Sequence, residues 1–167
     1  FNLGAAAGRS WRRGRFKAPY WREGLMNRGL GVETLETALP WSRVVEAHKT
    51  IKDALAEALG ATMPAGRPLV LCHLSHAYQE AASLYFTLVF PRDPDDPEAQ
   101  WRSVKTIANA TLAGLGAAPS HHHGMGSDHA DLLASAKDPT SRALLSALRR
   151  TLDPNGILIA PGFDQGS

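Results

Sequence analysis

Cysteine and long apolar segments are scarce in this sequence, and both shortages limit what the protein can be. Cys72 is the single cysteine among 167 residues, so no disulfide can form within the chain. No apolar run reaches the roughly 18 residues that a membrane-spanning helix needs. The hydrophobic share of 44% and the charged share of 20% are typical of a globular protein and argue against a disordered one. We therefore expect a single folded domain over residues 1–167.

Several well-known catalytic and binding motifs are absent as well. The sequence has no GxGxxG, which argues against a dinucleotide-binding unit, and no GxSxG, which argues against the nucleophile elbow of a hydrolase. It also has no HExxH and no paired cysteines, which are common signs of a zinc site. The stretch Gly4–Ser10 is one residue short of a phosphate-binding loop and has arginine in place of its lysine. The function must therefore be sought in less common patterns.

Hydrophobic periodicity predicts long helices between a few strands. Strands are predicted at 32–38, 68–77 and 82–90, the last two close enough in sequence to form a hairpin. Helices are predicted at 10–29 with an interruption near Pro19, from Pro40 to Gly60, from about Trp101 to Gly116, near 127–136 and at 139–151. This order favours an α+β fold in which helices cover an antiparallel sheet.

The strongest chemical signal is the triple histidine His121-His122-His123, which is followed by Gly124. Imidazole exchanges protons near neutral pH, and glycine lets the backbone approach a ligand closely. Three interpretations compete: a remnant of an expression tag, a zinc site, and a catalytic or ligand-binding loop. Consecutive histidines rarely all reach one ion, so we predict no metal site here and favour the loop.

Other polar residues are weaker candidates when each is taken alone. The Tyr85 side chain leaves its predicted strand on the face shared with Ser83 and Thr87, where a phenol can exchange a proton, although a structural tyrosine fits equally well. His73 alone is typical of a core histidine, and Arg22 alone of a surface ion pair. Cys72, between apolar strand residues, is expected to be inert.

A basic segment lies near the start of the chain. Residues 9–28 hold seven lysines and arginines against one acidic residue, Glu23. Such a segment can bind nucleic acid or a membrane surface. The aromatic residues within it recur at roughly helical spacing, which favours an exposed or interdomain helix face instead. Because the chain begins with Phe1 rather than methionine, we expect it to be part of a longer polypeptide.

Five motifs in a fixed order resemble a known family. They are Pro-Tyr-Trp-Arg-Glu at 19–23, Glu-Thr-Leu-Glu-Thr-Ala-Leu-Pro-Trp at 33–41, Ala-Ser-Leu-Tyr-Phe at 82–86, Ser-His-His-His-Gly-Met-Gly at 120–126 and Leu-Asp-Pro-Asn-Gly-Ile at 152–157. With them the sequence resembles the C-terminal cap domain of FAD-linked oxidases of the vanillyl-alcohol-oxidase superfamily, in the alkylglycerone-phosphate synthase branch. The resemblance implies a ferredoxin-like cap that covers the flavin, with FAD held mainly by a separate N-terminal domain that this chain lacks.

The resemblance also implies an activity and roles for particular residues. In that branch the acyl group of acyl-dihydroxyacetone phosphate is exchanged for a fatty alcohol through an adduct at flavin N5, a step of ether lipid synthesis. Carried over by motif, the roles are a carbon-acid base at His122 with His121 and His123 beside it, an acid/base partner at Tyr85, substrate contacts at Arg22 and His73, and a flavin contact at Thr34. Thr34 replaces a serine of the family, and His73 an arginine of the eukaryotic synthase.

The same resemblance sets expectations for partners and alternatives. We expect a lipid-phosphate substrate, the chain's own N-terminal FAD domain, a homodimer, a cytoplasmic location with peripheral membrane contact, and no nucleic acid. A FAD-linked D-2-hydroxyacid dehydrogenase of the D-lactate type is one alternative. That branch has a metal motif, His-x-Gly-Asp-Gly-x-x-His, which residues 73–80 do not reproduce. A non-catalytic binding domain is the other alternative.

Overall fold

The computed structural model of the chain describes residues 4–124, 126, 129 and 138–158. Its helices are α1 (Gly4–Gly14), α2 (Ala18–Met26), α3 (Val44–Thr62), α4 (Pro97–Gly114) and α5 (Pro139–Leu152). Its strands are β1 (Leu30–Pro40), β2 (Leu69–Ala77) and β3 (Ala81–Pro91), and one 3-10 turn (Trp41–Arg43) leads from β1 into α3. The predicted α+β class and antiparallel sheet are confirmed.

The described strands form one antiparallel sheet in the order β1-β3-β2. Because β1 and β2 both run antiparallel to β3, they are parallel to each other, with α3 as the crossover and β3 inserted between them. The sequence β1-α3-β2-β3-α4 matches the first five elements of the βαββαβ pattern of ferredoxin-like folds. In β3 the register places Tyr85 between Glu36 of β1 and His73 of β2.

Alternation along β3 divides the sheet into a packed face and an open face. Leu84, Phe86 and Leu88 are at most 3% exposed and form the core with apolar side chains of α3 and α4. Since side chains of a strand alternate, Ser83 and Tyr85 lie on the opposite side, the open face, together with Glu36 and Thr34 of β1. The open face carries the chemically reactive side chains.

Predicted and observed elements differ mainly at their ends. The helix predicted over 10–29 is two helices, because Pro19 occupies the first turn of α2, where its missing N–H costs nothing. Helix α4 begins four residues before Trp101, since Asp96 caps it by accepting a hydrogen bond from the Ala99 N–H at 2.9 Å. The helix predicted near 127–136 falls mostly outside the described residues.

The basic segment folds as α1 and α2, whose aromatic side chains stay in contact with water. Trp11, Tyr20 and Trp21 are each at least 65% exposed. The Arg15 guanidinium lies over the rings of Trp11 and Phe16. Within the described part of the chain, no helix combines the length and the apolar character that crossing a membrane requires.

Candidate functional site

A buried carboxylate on the open face organises the site. Glu36 is only 4% exposed, although it carries a group that normally lies in water. Its Oε1 accepts hydrogen bonds from the Ser83 hydroxyl at 3.2 Å and from the Ser75 hydroxyl at 3.3 Å. These two serines also contact each other at 2.9 Å. Strands β1, β3 and β2 therefore each contribute one polar side chain to the same point.

The histidine segment reaches Glu36 because the chain after α4 is attached to β1. Gly116 has a φ of +57°, which glycine adopts without strain and which turns the chain away from the helix. The Ala118 N–H then donates to the Ala38 carbonyl at 3.0 Å, and the Thr37 hydroxyl donates to the Ala118 carbonyl at 2.6 Å. Two bonds to adjacent residues of β1 place the next residues, 121–123, over the open face.

All of the consecutive histidines approach the same carboxylate. His121 Nδ1 lies 3.2 Å from Glu36 Oε1, and the His122 backbone N–H donates to Oε2 at 3.3 Å. His122 Nε2 is 3.7 Å from Oε1, and His123 Nε2 is 3.7 Å from Oε2. We call this group the Glu36 cluster; its members are Glu36, Ser75, His76, Tyr78, Ser83, His121, His122 and His123.

Strand β2 and the turn after it complete the cluster. The register of β2 shifts between Leu74 and His76, which makes Ser75 an extra residue, a β-bulge. His76 consequently lies opposite Ser83, with its ring centroid 4.7 Å from that of His122. Just beyond β2, the Tyr78 hydroxyl is hydrogen-bonded to His121 Nε2 at 2.7 Å.

Tyr85 forms a second group of rings beside the Glu36 cluster. Its ring centroid lies 5.3 Å from that of His123 and 5.3 Å from that of His73. Tyr85 is half-buried, whereas His73 and His123 are exposed, so water and small ligands can reach these three rings. A phenol and an imidazole at such a distance can exchange protons with a ligand placed between or above them.

The surroundings of Glu36 keep it ionised. Burial raises the pKa of its carboxyl group, because the charged form loses hydration. The hydrogen bonds from the His122 N–H and from His121, the charge of His122, and the Ser83 hydroxyl act in the opposite direction. Together they outweigh burial, and the pKa of Glu36 lies below its ordinary value. At neutral pH the site therefore holds an ionised carboxylate that accepts hydrogen bonds from these neighbours.

Four members of the cluster are arranged so that they could hold a metal ion. One ligand atom from each of Glu36, His76, His121 and His122 lies within 4.8 Å of the other three. The sequence argument against a metal site considered only the consecutive histidines as ligands. In the structure, the carboxylate and a histidine from β2 supply the ligands that the triplet lacks.

The structure brings most of the sequence-predicted site residues together on one face. His121, His122 and His123 belong to the Glu36 cluster, and Tyr85 and His73 lie next to it. The catalytic and substrate-binding roles that the resemblance implies for these residues stay predictions. Thr34 lies two residues before Glu36 in β1 and pairs with Thr87 in β3, on the same open face.

Arg22 lies elsewhere, on the exposed side of α2. It lines a cleft of about 220 Å³ near the start of β1, together with Arg92, Glu33 and Trp101. No hydrogen bond or ion pair joins Arg22 to any residue that the structure describes. Its guanidinium is therefore available to an anion. It lies near the start of β1, however, and not beside Glu36.

Sequence reasoning missed Glu36, His76 and Tyr78. The signal for Glu36 was present, because strict alternation places it on the same strand face as Thr34, where a lone acid has to find partners. His76 gave no such signal, since the bulge at Ser75 reverses the face that alternation assigns to it. Tyr78 follows the strand, where alternation no longer applies.

The fold and the site define an α+β domain whose open sheet face carries a cluster of histidines, a tyrosine and a buried carboxylate. The family profile described as "FAD linked oxidases, C-terminal domain" matches residues 4–162. The chain therefore belongs to this family, as the resemblance implied.

Similarity to individual proteins agrees with the family. The chain is 27% identical to alkyldihydroxyacetonephosphate synthase of Dictyostelium discoideum over 94% of its own length and 25% of that protein. It is 30% identical to the synthase of Caenorhabditis elegans over 92% of its length and 26% of that protein. A solved structure of an alkyldihydroxyacetonephosphate synthase superposes with a TM-score of 0.58 at 18% identity, over 87% of this chain and 22% of that one, and supports the fold.

The chain spans about a quarter of the length of these curated relatives. FAD is the cofactor of the family, and the open face offers both hydroxyl groups and an apolar side chain to a ligand. Thr34 and Thr87 face each other in register, Leu71 pairs with Thr87 on its other side, and Tyr85 follows at the next position of that face. Hydroxyls beside an apolar side chain suit a ligand that is largely apolar and forms hydrogen bonds at its edge.

Proposed function

We propose that the chain is the substrate-binding cap of a FAD-dependent enzyme that resembles alkyldihydroxyacetonephosphate synthase. Its reaction would be the exchange of the acyl group of acyl-dihydroxyacetone phosphate for a fatty alcohol. The observation that carries this proposal is the meeting of Tyr85 with the consecutive histidines on the open face. We further propose that the enzyme acts as a homodimer in the cytoplasm, in peripheral contact with a membrane.

The Glu36 cluster suits the removal of a proton from carbon. A positioned neutral imidazole is an effective base for this step, and we assign the role to His122. The Glu36 carboxylate, 3.7 Å from His122 Nε2, stabilises the imidazolium that forms. His121 and His123 flank the base, and each contacts an oxygen of the same carboxylate. The carboxylate thus orients the rings as well as balancing their charge.

Tyr85 is the acid/base partner in this proposal. Its ring is half-buried between His73 and His123, which fixes its position while leaving the open face accessible. When bound, FAD supplies the redox-active ring on which the family's chemistry depends. The cap orients the substrate against that ring and transfers protons through Tyr85 and His122.

The anionic headgroup of the substrate needs a cation, and Arg22 is the proposed one. Guanidinium groups bind phosphate with paired hydrogen bonds. Arg22 is exposed and makes no ion pair with a described residue, so its charge is available. His73, which replaces an arginine of the eukaryotic synthase, is assigned the second, weaker contact.

Kinetics of the full-length protein with two substitutions test the proposal. We expect Tyr85→Phe and His122→Ala each to reduce turnover at least about 100-fold, because each removes a proton-transfer group. The visible flavin spectrum should stay unchanged, which shows that FAD is still bound. Tyr20→Phe, which removes a hydroxyl from an exposed tyrosine of α2, serves as the matched control and should leave turnover unchanged.

Wild-type turnover in both variants would refute the assignment of these roles. Bleaching of the flavin by D-lactate, without any reaction of acyl-dihydroxyacetone phosphate, would favour the D-2-hydroxyacid dehydrogenase instead. Salt-dependent retention on DNA or anionic vesicles with no bound flavin would favour a binding domain without chemistry.

A further inference from the structure

We propose that the Glu36 cluster holds a transition-metal dication of the zinc type, with Glu36, His76, His121 and His122 as its ligands. These ligands come from three separate parts of the chain, β1, β2 and the segment after α4. The inference depends on their geometry alone and not on the proposed function.

The ligand atoms are grouped closely enough to form a tetrahedral site after a small inward movement. They lie within 4.8 Å of one another. A zinc ion bound by nitrogen and oxygen at about 2.0–2.1 Å needs ligand atoms about 3.3 Å apart. Each atom therefore has to move inward by about 1 Å at most. His76 and His122 are exposed, so a small rotation of their rings can supply this movement.

The chemistry of the ligands selects the class of ion. Three imidazoles and one carboxylate suit Zn²⁺, Cu²⁺ or Ni²⁺, whereas Mg²⁺ and Ca²⁺ prefer sites made of oxygen atoms. One carboxylate leaves a net charge of +1 at the site. The ion would take the place of the proton through which the His121 ring contacts Glu36.

A second layer of hydrogen bonds already orients these ligands. The Tyr78 hydroxyl is 2.7 Å from His121 Nε2. A His121 ring that binds the ion through Nδ1 therefore donates its Nε2–H to the tyrosine oxygen. The Ser83 and Ser75 hydroxyls donate to Glu36 Oε1. Partners of this kind fix the tautomer and the direction of metal ligands in known sites.

The ligand set differs from the metal motif of the D-2-hydroxyacid dehydrogenase branch. His73, which stands at the first histidine of that motif, contacts Tyr85 rather than the cluster. His123 is also outside the set and stays beside Tyr85. Because His122 belongs both to the metal ligands and to the proposed base, a bound ion would prevent proton transfer there and act as an inhibitor.

Cobalt titration of the chain tests the site without any flavin or substrate. The protein, free of a histidine tag and stripped with a chelator, is titrated with Co²⁺ and followed by visible absorption. We expect one Co²⁺ per chain with the strong bands of a four-coordinate site, displaced by Zn²⁺ and not by Mg²⁺ or Ca²⁺. Bound Zn²⁺ should also raise the melting temperature, with an increase that follows the logarithm of the free Zn²⁺ concentration above Kd.

Three variants locate the ion. His76→Ala removes a ligand from an exposed position and should lower Zn²⁺ affinity at least about 100-fold. Tyr78→Phe, also at an exposed position, should lower it about 10-fold. His73→Ala, three residues before His76 on the same strand, is the matched control and should leave it unchanged. Circular dichroism of each variant checks that the fold is kept.

Three results would overturn the site: no visible bands at millimolar Co²⁺, equal affinity in His76→Ala and the parent chain, or equal losses in His76→Ala and His73→Ala. None of them bears on turnover by Tyr85 and His122. Conversely, a change of turnover in Tyr85→Phe would leave the titration unaffected, because Tyr85 is not a ligand, so the two proposals fail separately.

Discussion

Replacement of Glu36 by alanine measures how strongly the cluster is held. Four donors point at this carboxylate: the hydroxyls of Ser75 and Ser83, His121 Nδ1 and the His122 N–H. Water reaches Ser75 and His122, so these donors find new partners when the carboxylate is removed. Ser83 is fully buried and the His121 side chain is only 13% exposed, so their bonds are harder to replace.

The expected cost follows from those two bonds. A hydrogen bond to a charged group contributes about 1.5–3 kcal/mol, and part of this is offset because the buried carboxylate no longer has to be desolvated. We expect Glu36→Ala to lower the free energy of unfolding by about 3 kcal/mol. Glu36→Gln keeps one acceptor oxygen and should cost about half as much.

Urea denaturation, followed by tryptophan fluorescence with a chelator present, gives these values. Glu46→Gln is the matched control, because Glu46 forms an exposed ion pair with Arg43 at 3.6 Å that should contribute less than about 1 kcal/mol. If Glu36→Ala lay within that same range, the carboxylate would not hold the cluster together and the reasoning would be refuted.

The pH dependence provides an independent check of the same residue. The pKa of Glu36 in the folded protein is below its ordinary value. Its stabilising effect is therefore fully present above the unfolded pKa and is lost as the pH falls through the folded pKa. The difference in stability between the parent chain and Glu36→Gln should shrink in acid. A difference that stays constant down to the acid limit would contradict the lowered pKa.

Further predictions concern glycines of β1 and α3 and the single cysteine. A Cβ at Gly31 would lie 3.0 Å from Phe90 Cδ2 and overlap the outer ring atoms, so Gly31→Ala should cost about 1–3 kcal/mol in urea denaturation. At Gly60 a Cβ meets nothing within 4 Å, and Gly60→Ala should stabilise α3 by about 0.5–1 kcal/mol. A lower free energy of unfolding in Gly60→Ala would contradict the explanation of the Gly31 effect by a steric clash. Burial raises the pKa of Cys72 to about 11, and Lys52 offsets only part of it. Iodoacetamide should therefore alkylate Cys72 at pH 8 about 100-fold more slowly in the folded chain than in urea, and equal rates would contradict the raised pKa.

How far the sequence predicts this structure depends on how many residues separate the interacting groups along the chain. Alternation in β3 predicted that Phe86 faces the core and Tyr85 the other side, because strand geometry is local. The same reasoning was sufficient for the α+β class. It was not sufficient for the meeting of Glu36 with His121, which are 85 residues apart and are brought together by the attachment of Ala118 to β1.

The α2 region shows the same limit. Pro19 indicated a helix interruption, which is a local effect of its missing N–H. Arg22 lines a cleft with Arg92 instead of joining the histidines, because of the way α2 packs against β1. No pattern within residues 18–26 encodes this packing.

The extra residue at Ser75 makes the cluster sensitive to the register of β2. Regular pairing beyond Leu74, without the bulge, would place Ser75 opposite Ser83 and turn His76 toward Ala82, among the core side chains. Such a shift of register changes no residue of the chain, yet it would take an imidazole away from Glu36 and bury it. The pairing of β2 with β3 between Leu74 and Ala77, more than any single side chain within it, decides whether histidines from distant segments meet.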